Sequence, residues 1–217
     1  VGVKDGPIMA AADIFDITVK GKGGHGATPQ GTIDAVVVAS HLVTTLQTIV
    51  SRNTNPLENT VVTIGKINGG QNFNIIADEV KLSGTTRAYS EENRNMVKNR
   101  MEDIIDGVSK TFGTEIILNY KEGYPPTINH EIPSKNILEA ASQVVGVGAG
   151  FPYLSMGGED FSYYLRNVPG CFFFVGSAPD KKDTLSTPHH CSHFNIDERA
   201  LLVGASVYIN LIENLLG

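Results

Sequence analysis

The chain has little cysteine: only Cys171 and Cys191 among 217 residues. That is too few for a disulfide framework. The two could pair, but a pair of free thiols in a reduced, cytoplasmic protein is the expectation. Basic charge is not in excess either. Lys and Arg number 17 against 23 Asp and Glu, a formal net charge of −6. With no basic run and no interleaved aromatic platform, nucleic acid is excluded as a partner. No unbroken apolar run reaches the ~20 residues of a membrane span, so no membrane partner is expected. The first residues carry no signal-peptide pattern, and position 1 is Val1 rather than Met. The chain is therefore expected to begin inside a longer gene product. Finally, there is no Gly-x-Ser-x-Gly elbow, no P-loop and no dinucleotide-binding glycine pattern. Serine-hydrolase and nucleotide readings have no support.

What is present is an ordinary globular composition, 41% hydrophobic and 18% charged, enough to bury a core without staples. Residues 13–20 alternate as a strand. Residues 33–51 read as a helix, with Val36, Ala39, Val43, Leu46 and Val50 at spacings of three and four. Thr32 is its expected N-cap and Asp34 lies in its first turn. Residues 60–67 are β-branched and strand-like, and Asn68-Gly69-Gly70 is a turn signal. Val80, Leu82, Gly84, Thr86 and Ala88 alternate in a further strand. Ser90 opens a helix whose stripe is Val97, Met101, Ile104, Val108 and Phe112, stopped by Gly113. Ile116, Leu118 and Tyr120 form a last strand. The order strand, helix, strand, strand, helix, strand predicts a ferredoxin-like βαββαβ domain over residues 13–122.

A different style follows Gly123-Tyr124-Pro125-Pro126. Helices are expected over 134–145, 160–166 and 197–216, the last with Leu201, Ala205, Tyr208, Ile212 and Leu215 along one side. The apolar run Cys171–Val175 reads as a strand buried on both faces. One buried strand cannot make a sheet, so residues 1–12 and 123–217 are expected to be part of an α/β domain rather than all of one.

Several residues could carry chemistry. His25 sits on the glycine-rich stretch 21–26 straight after a strand, where the backbone can approach another surface closely. His189, His190 and His193 lie within five residues, beside Cys191; they suit zinc, or are a histidine-rich polar loop. Glu159 and Asp160 follow Gly157-Gly158, either as acids capping a short helix or as a general base. Arg87 lies out of register with the apolar face of its strand, and Asn74 sits in the loop before it. They make a carboxylate clamp or two solvated polar groups. His41 and His130 are expected to be structural or surface residues.

Four strings, GPIMAAADIFDITVKGKGGHGATPQ, INGGQNFNIIADEVKLSGTTRAYSEENR, MGGEDFSYYL and HHCSHFNIDERALLVGA, occur in this order over nearly the whole chain. As an ordered set they resemble the co-catalytic metallopeptidase family of aminoacylases, glutamate-releasing carboxypeptidases, hippurate hydrolases and plant auxin-conjugate amidohydrolases. The resemblance implies an α+β ferredoxin-like lid joined to a partial α/β catalytic domain. Residues 13–122 would be the dimerising lid; residues 1–12 and 123–217 would be the C-terminal part of the catalytic domain. It implies metal-dependent hydrolysis of the amide bond in N-acyl amino acids or small peptides, with two zinc or manganese ions in the complete enzyme and a homodimer formed through the lid.

Residue by residue, the resemblance makes His25 the lid histidine that reaches across the dimer to the oxyanion. Asn74 and Arg87 become holders of the substrate carboxylate, Gly157 and Gly158 the pocket wall, and His190 a metal ligand. Asn74-Ile75-Ile76-Ala77 departs from the family's Asn-x-Ile-Pro. The family's His-x-Cys-Gly-His-Asp string and Glu-Glu pair are not found in this sequence, so these 217 residues alone are expected to be inactive. The competing expectation is a non-catalytic ferredoxin-like dimerisation or small-molecule-binding module, which has no use for the His190 loop.

Overall fold

The computed structural model describes residues 1–179 and 189–217. In chain order its elements are β1 (Gly6–Met9), β2 (Ala11–Lys20), β3 (Gly24–His25), α1 (Ala35–Leu46), β4 (Thr60–Gly69), β5 (Ile75–Ile76), β6 (Glu79–Ala88), α2 (Glu91–Phe112), β7 (Ile116–Tyr124), β8 (Thr127–Asn129), α3 (Glu131–Val145), α4 (Ser162–Leu165) and α5 (Arg199–Leu216). The fold is mixed α+β with antiparallel pairing in its main sheet. It divides into two compact units: Met9–Thr127 with Met156–Ser162, and Val1–Ile8 with Ile128–Ser155 and Tyr163–Gly217.

In the first unit the strands lie in the order β4-β6-β2-β7, every pair antiparallel. The period-two pattern of β2 sends Phe15, Ile17 and Val19 to one face, where each is fully buried, and leaves Ile14 and Asp16 exposed on the other. Val80 and Leu82 of β6 join the same core. Helix α1 covers it with Ala35, Val38, Ala39, Leu42 and Leu46, and α2 with Val97, Met101, Ile104, Ile105 and Val108. Both helices therefore lie on one side of the sheet. Gly84 is where Phe15 crosses its neighbour strand: a Cβ there would sit 2.3 Å from the Phe15 ring and 2.2 Å from the Thr63 carbonyl oxygen. His41 of α1 packs its ring on Phe112 of α2, centroids 5.1 Å apart, a structural role.

Local capping differs from the sequence reading at one point. Asp34, not Thr32, is the N-cap of α1; its carboxylate accepts from the amides of Val36 (2.9 Å) and Val37 (3.3 Å). The Thr32 hydroxyl is engaged elsewhere, donating to the Pro29 carbonyl (2.7 Å). Helix α1 also ends at Leu46, and Ile49–Asn53 form a wider π turn. Ser90 and Gly113 cap α2 as expected, Gly113 with φ +63°.

Asp13 and Arg94 are the two charged side chains buried among the described residues. The Asp13 carboxylate accepts from Arg94 Nε (2.9 Å) and Nη2 (2.6 Å), the Tyr120 hydroxyl (2.9 Å) and the Gly123 amide (2.9 Å). Arg94 Nη2 also donates to the Gly123 carbonyl. The β2–β7 register slips between Ala12 and Ile14, so that β7 bulges around Asp13.

In the second unit β1 pairs with β8, and α3 packs on α5 through Ala140, Ala141 and Val207. Two expectations change here. Cys171–Val175 is not a strand: it is half-buried, and its one bridge is Phe174 to Gly2, exchanged in both directions at 2.7 and 2.8 Å. The Asn129 side chain takes both backbone groups of Phe172 instead of a neighbouring strand. The side of α5 with Leu201, Tyr208, Ile212 and Leu215 is exposed, and Val207 is the buried position. Helix α5 is apolar on more than one side, so periodicity alone does not choose its packed face. By length and composition, 35–53 and 199–216 could each cross a membrane. The first of these places its α1 residues in the core just described.

The buried pair sets two expectations. Removing the carboxylate leaves Arg94 charged and unpaired in the core, so Asp13→Ala should cost about 3–5 kcal/mol in urea unfolding followed by circular dichroism. A loss under about 1 kcal/mol would show the pair to be dispensable. The second concerns pH. Burial pushes the Asp13 carboxyl up, but the bonds from Arg94, Gly123 and Tyr120 outweigh it and hold it below the ordinary range. Its folded value thus lies under its unfolded one. The stabilisation is complete above about pH 4 and is lost as pH falls through the folded value. The urea midpoint should drop over that acid range, and drop less in Asp13→Asn.

Candidate functional site

The glycine-rich turn after β2 is held from both sides. Gly21 donates to the Asp78 carbonyl (2.7 Å), and Lys22 exchanges hydrogen bonds with Ile33. The chain then forms a two-stranded ribbon, β3 against β5, with Gly24 opposite Ile76 and His25 opposite Ile75. Past the last pair, the Gly26 amide donates to the Asn74 carbonyl at 2.9 Å. A Cβ on Gly26 would lie 3.1 Å from that oxygen, which explains the glycine. The structure therefore brings His25 and Asn74 together. Both are exposed.

The imidazole of His25 is itself tied down. Its Nδ1 accepts from the Ala27 amide at 3.1 Å, and its carbonyl accepts from the Thr28 amide at 2.9 Å. The loop on the other strand is fixed by Asn72, whose side chain accepts from the Phe73 amide (2.9 Å) and whose carbonyl accepts from Ile75 (3.2 Å). Phe73, beside Asn74, is 98% exposed. The Ala27 amide and the Phe73 ring belong to this ribbon but were not singled out from sequence. An aromatic inside the Gly/Asn-rich stretch 69–74 is the signal that could have found Phe73.

Arg87 lies at the other end of β6. It stands opposite Ala12 of β2 and Val61 of β4, on the face away from the helices. Its Nη1 donates to the Thr86 carbonyl (2.9 Å), to the Asp13 carbonyl (3.4 Å) and to the Thr85 hydroxyl. Gly157 and Gly158 are at this same end. The Gly157 carbonyl accepts from Ala10 (3.1 Å), and a Cβ on Gly158 would lie 2.6 Å from Ala12 Cβ. Glu159 caps the start of α4, its carboxylate accepting from Phe161 and its carbonyl from the Ser162 hydroxyl. From Glu79, next to the ribbon, to Arg87 is eight strand steps, or roughly 26 Å. Within one chain the structure thus puts His25 and Asn74 on one ribbon, and Arg87 and Gly158 both beside Ala12, at opposite ends of β6.

His190 stands in a turn, exposed, with φ +66°. The neighbouring His189 ring stacks on Phe194, centroids 5.0 Å apart. Among the described residues no three His, Cys, Asp or Glu side chains converge to hold an ion. A two-ion centre therefore does not fit on these residues alone. Cys171 and Cys191 are free thiols; burial pushes the Cys171 thiol up. His130 is structural, its Nδ1 accepting from the Gly170 amide at 3.1 Å.

Residues 13–111 match the model of a peptidase dimerisation domain. The chain is 40% identical over 206 residues to the N-acetyl-L-cysteine deacetylase of Bacillus subtilis, covering 93% of this chain and 47% of that protein. It is 43% identical over 176 residues to the N-acetyldiaminopimelate deacetylase of Bacillus cytotoxicus, covering 81% and 47%. Among solved structures, the YXEP protein of Bacillus subtilis, a dinuclear metal binding peptidase from the M20 family, superposes with a TM-score of 0.75 at 28% identity, covering 99% of this chain and 52% of that one. The chain spans about half the length of the curated relatives it matches. It belongs to the M20 peptidase family of amidohydrolases and deacetylases, with the family's dimerisation domain at residues 13–111.

Proposed function

We propose that this chain carries the dimerising lid and the C-terminal part of the catalytic domain of an amidohydrolase that cleaves N-acyl amino acids or small peptides. In this reading residues 13–122 are a ferredoxin-like lid, and residues 1–12 and 123–217 belong to the α/β catalytic domain. The single observation that supports it best is the ribbon pairing His25 with Asn74 at one end of the sheet, while Arg87 and Gly158 lie at the other. A small substrate cannot touch both ends of a ~26 Å strand. Two copies related by a two-fold axis can bring one copy's ribbon to the other copy's Arg87.

The chemistry follows from the groups present. A water adds to the amide carbonyl, the oxygen gains negative charge, and the C–N bond breaks to give an acid and an amine. His25 donates a hydrogen bond to the developing oxyanion. Arg87 and the Asn74 carboxamide hold the substrate carboxylate, the guanidinium by its planar fork. Gly157 and Gly158 leave room for the substrate at the pocket wall. Zinc or manganese ions and the general base are assigned to the remainder of the enzyme, with His190 as the one ligand from these residues. A reducing cytoplasm is the setting in which Cys171 and Cys191 stay as thiols.

In the complete polypeptide, His25→Ala should lower kcat on N-acetyl amino acids about 10²–10³-fold. An unchanged kcat would leave His25 as a turn residue only. Arg87→Ala should raise KM at least about tenfold for substrates with a free carboxylate, and not for their amides. The crossed arrangement has its own signature. Two impaired variants, His25→Ala and Arg87→Ala, mixed, allowed to exchange subunits and assayed with substrate well below the wild-type KM, should rise to about one quarter of wild-type activity, above what either gives alone, because half the dimers are mixed and each holds one intact site. No recovery after proven exchange would favour the non-catalytic or single-chain reading.

A further inference from the structure

We infer that the Ala27 backbone amide is a positioning group that favours the Nε2–H tautomer of His25, so that this imidazole turns an Nε2–H donor toward its ligand. The inference rests on the reading above in one respect only, that the ligand is a substrate oxygen.

The argument is one of donors and acceptors. A backbone N–H can only donate, so the ring nitrogen it reaches must present a lone pair. The Ala27 amide reaches Nδ1 at 3.1 Å. In a neutral ring the hydrogen then sits on Nε2. The amides on either side serve other acceptors. Gly26 donates to the Asn74 carbonyl at 2.9 Å and Thr28 to the His25 carbonyl at 2.9 Å. Three consecutive amides thus serve three acceptors, and the middle one serves the ring. At its first step the turn packs closely on the other strand: a Cβ on Gly26 would lie 3.1 Å from the Asn74 carbonyl oxygen, a tight contact.

The consequence is chemical. While Nδ1 is engaged and Nε2 is protonated, Nε2 has no lone pair for a metal or a proton, and freeing it costs the Ala27 hydrogen bond. What it offers outward is a single N–H, suited to a carbonyl oxygen or an oxyanion. Asn74 joins the same ribbon through its backbone carbonyl, which accepts from Gly26, and is likewise exposed. In this tautomer the ribbon suits an oxygen ligand that accepts a hydrogen bond.

The test does not need activity. Long-range ¹H–¹⁵N correlation of the histidine-labelled chain at about pH 8.5, where a free imidazole is neutral, reports the tautomer directly. His25 is assigned by its loss in His25→Gln. The expected spectrum has Nδ1 as the pyridine-like nitrogen and Nε2 as the pyrrole-like one. Ala27→Pro removes the donor and should move the tautomer ratio about fivefold toward Nδ1–H, the equivalent of one ordinary hydrogen bond. A proton on Nδ1 in the wild type overturns the inference, whatever the proline variant does. A ratio unmoved by Ala27→Pro, with the Gly26 amide still protected from exchange, also overturns it. The oxyanion role is separable: an Nε2–H ring together with an unchanged kcat in His25→Ala removes the role and leaves the tautomer assignment standing.

Discussion

The buried carboxylate of Asp13 is the point on which the larger unit is hung. A charge at that depth is tolerated only if every lone pair is used. Four donors meet that demand, from α2 (Arg94) and β7 (Tyr120 and Gly123). Helix α2 cannot slide along the sheet without breaking a two-point guanidinium contact. Strand β7 cannot take a regular register past Ala12, because Gly123 turns both its amide and its carbonyl toward the pair. Burial raises the Tyr120 hydroxyl, and its bonds to Thr86 and Asp13 keep it within the same network. Hydrophobic packing alone would accept several offsets of α2; the ion pair selects one.

The same residue reaches the candidate site through its backbone. The Asp13 carbonyl accepts from the Thr85 hydroxyl (2.5 Å) and from Arg87. Thr85 in turn accepts from Arg87. Arg87 is thus steadied on the open face of the sheet by a residue whose side chain is locked on the closed face. An arginine of this kind loses less freedom on meeting a carboxylate than a solvated one does. At the far end the charge pairs, Lys20 and Lys81 with Glu79, are partly exposed rather than buried. There the ribbon is fixed by backbone hydrogen bonds and by glycines that allow close approach.

Much of this was legible in the sequence, and the failures have physical causes. The alternation of Phe15, Ile17 and Val19 and the stripe Val97, Met101, Ile104 and Val108 gave the right faces because each element is apolar on one side only. Helix α5 is apolar on several sides, so the stripe chosen from spacing was the exposed one and Val207 was missed. Cys171–Val175 has the composition of a buried strand, but strand formation needs a neighbour, and side chains such as Asn129 can satisfy the backbone instead. Thr32 and Asp34 are equally good caps by type. Only the three-dimensional turn at Pro29 shows which is free. His25 was visible because glycines surround it; its tie to Ala27 was not, because a side chain bonding its own backbone two residues on leaves no composition signal.

Asn74 and Arg87 carry the most instructive spacing. Thirteen residues apart, they could have faced one ligand had the chain doubled back between them. It does not. Residues 79–88 form a single extended strand inside the sheet, paired with β2 and β4 over its length, with one register slip against β4 at Ile64–Lys66. The strand acts as a ruler that no local motion can shorten, since bending it would break ladders with β2 and β4 at once. In the proposed reading, a small molecule that uses both residues is met by two copies of the chain. Under the proposed reading, dimerisation is then not an accessory to the site but the step that assembles it, and the length of β6 sets how far apart the two copies' contributions must start.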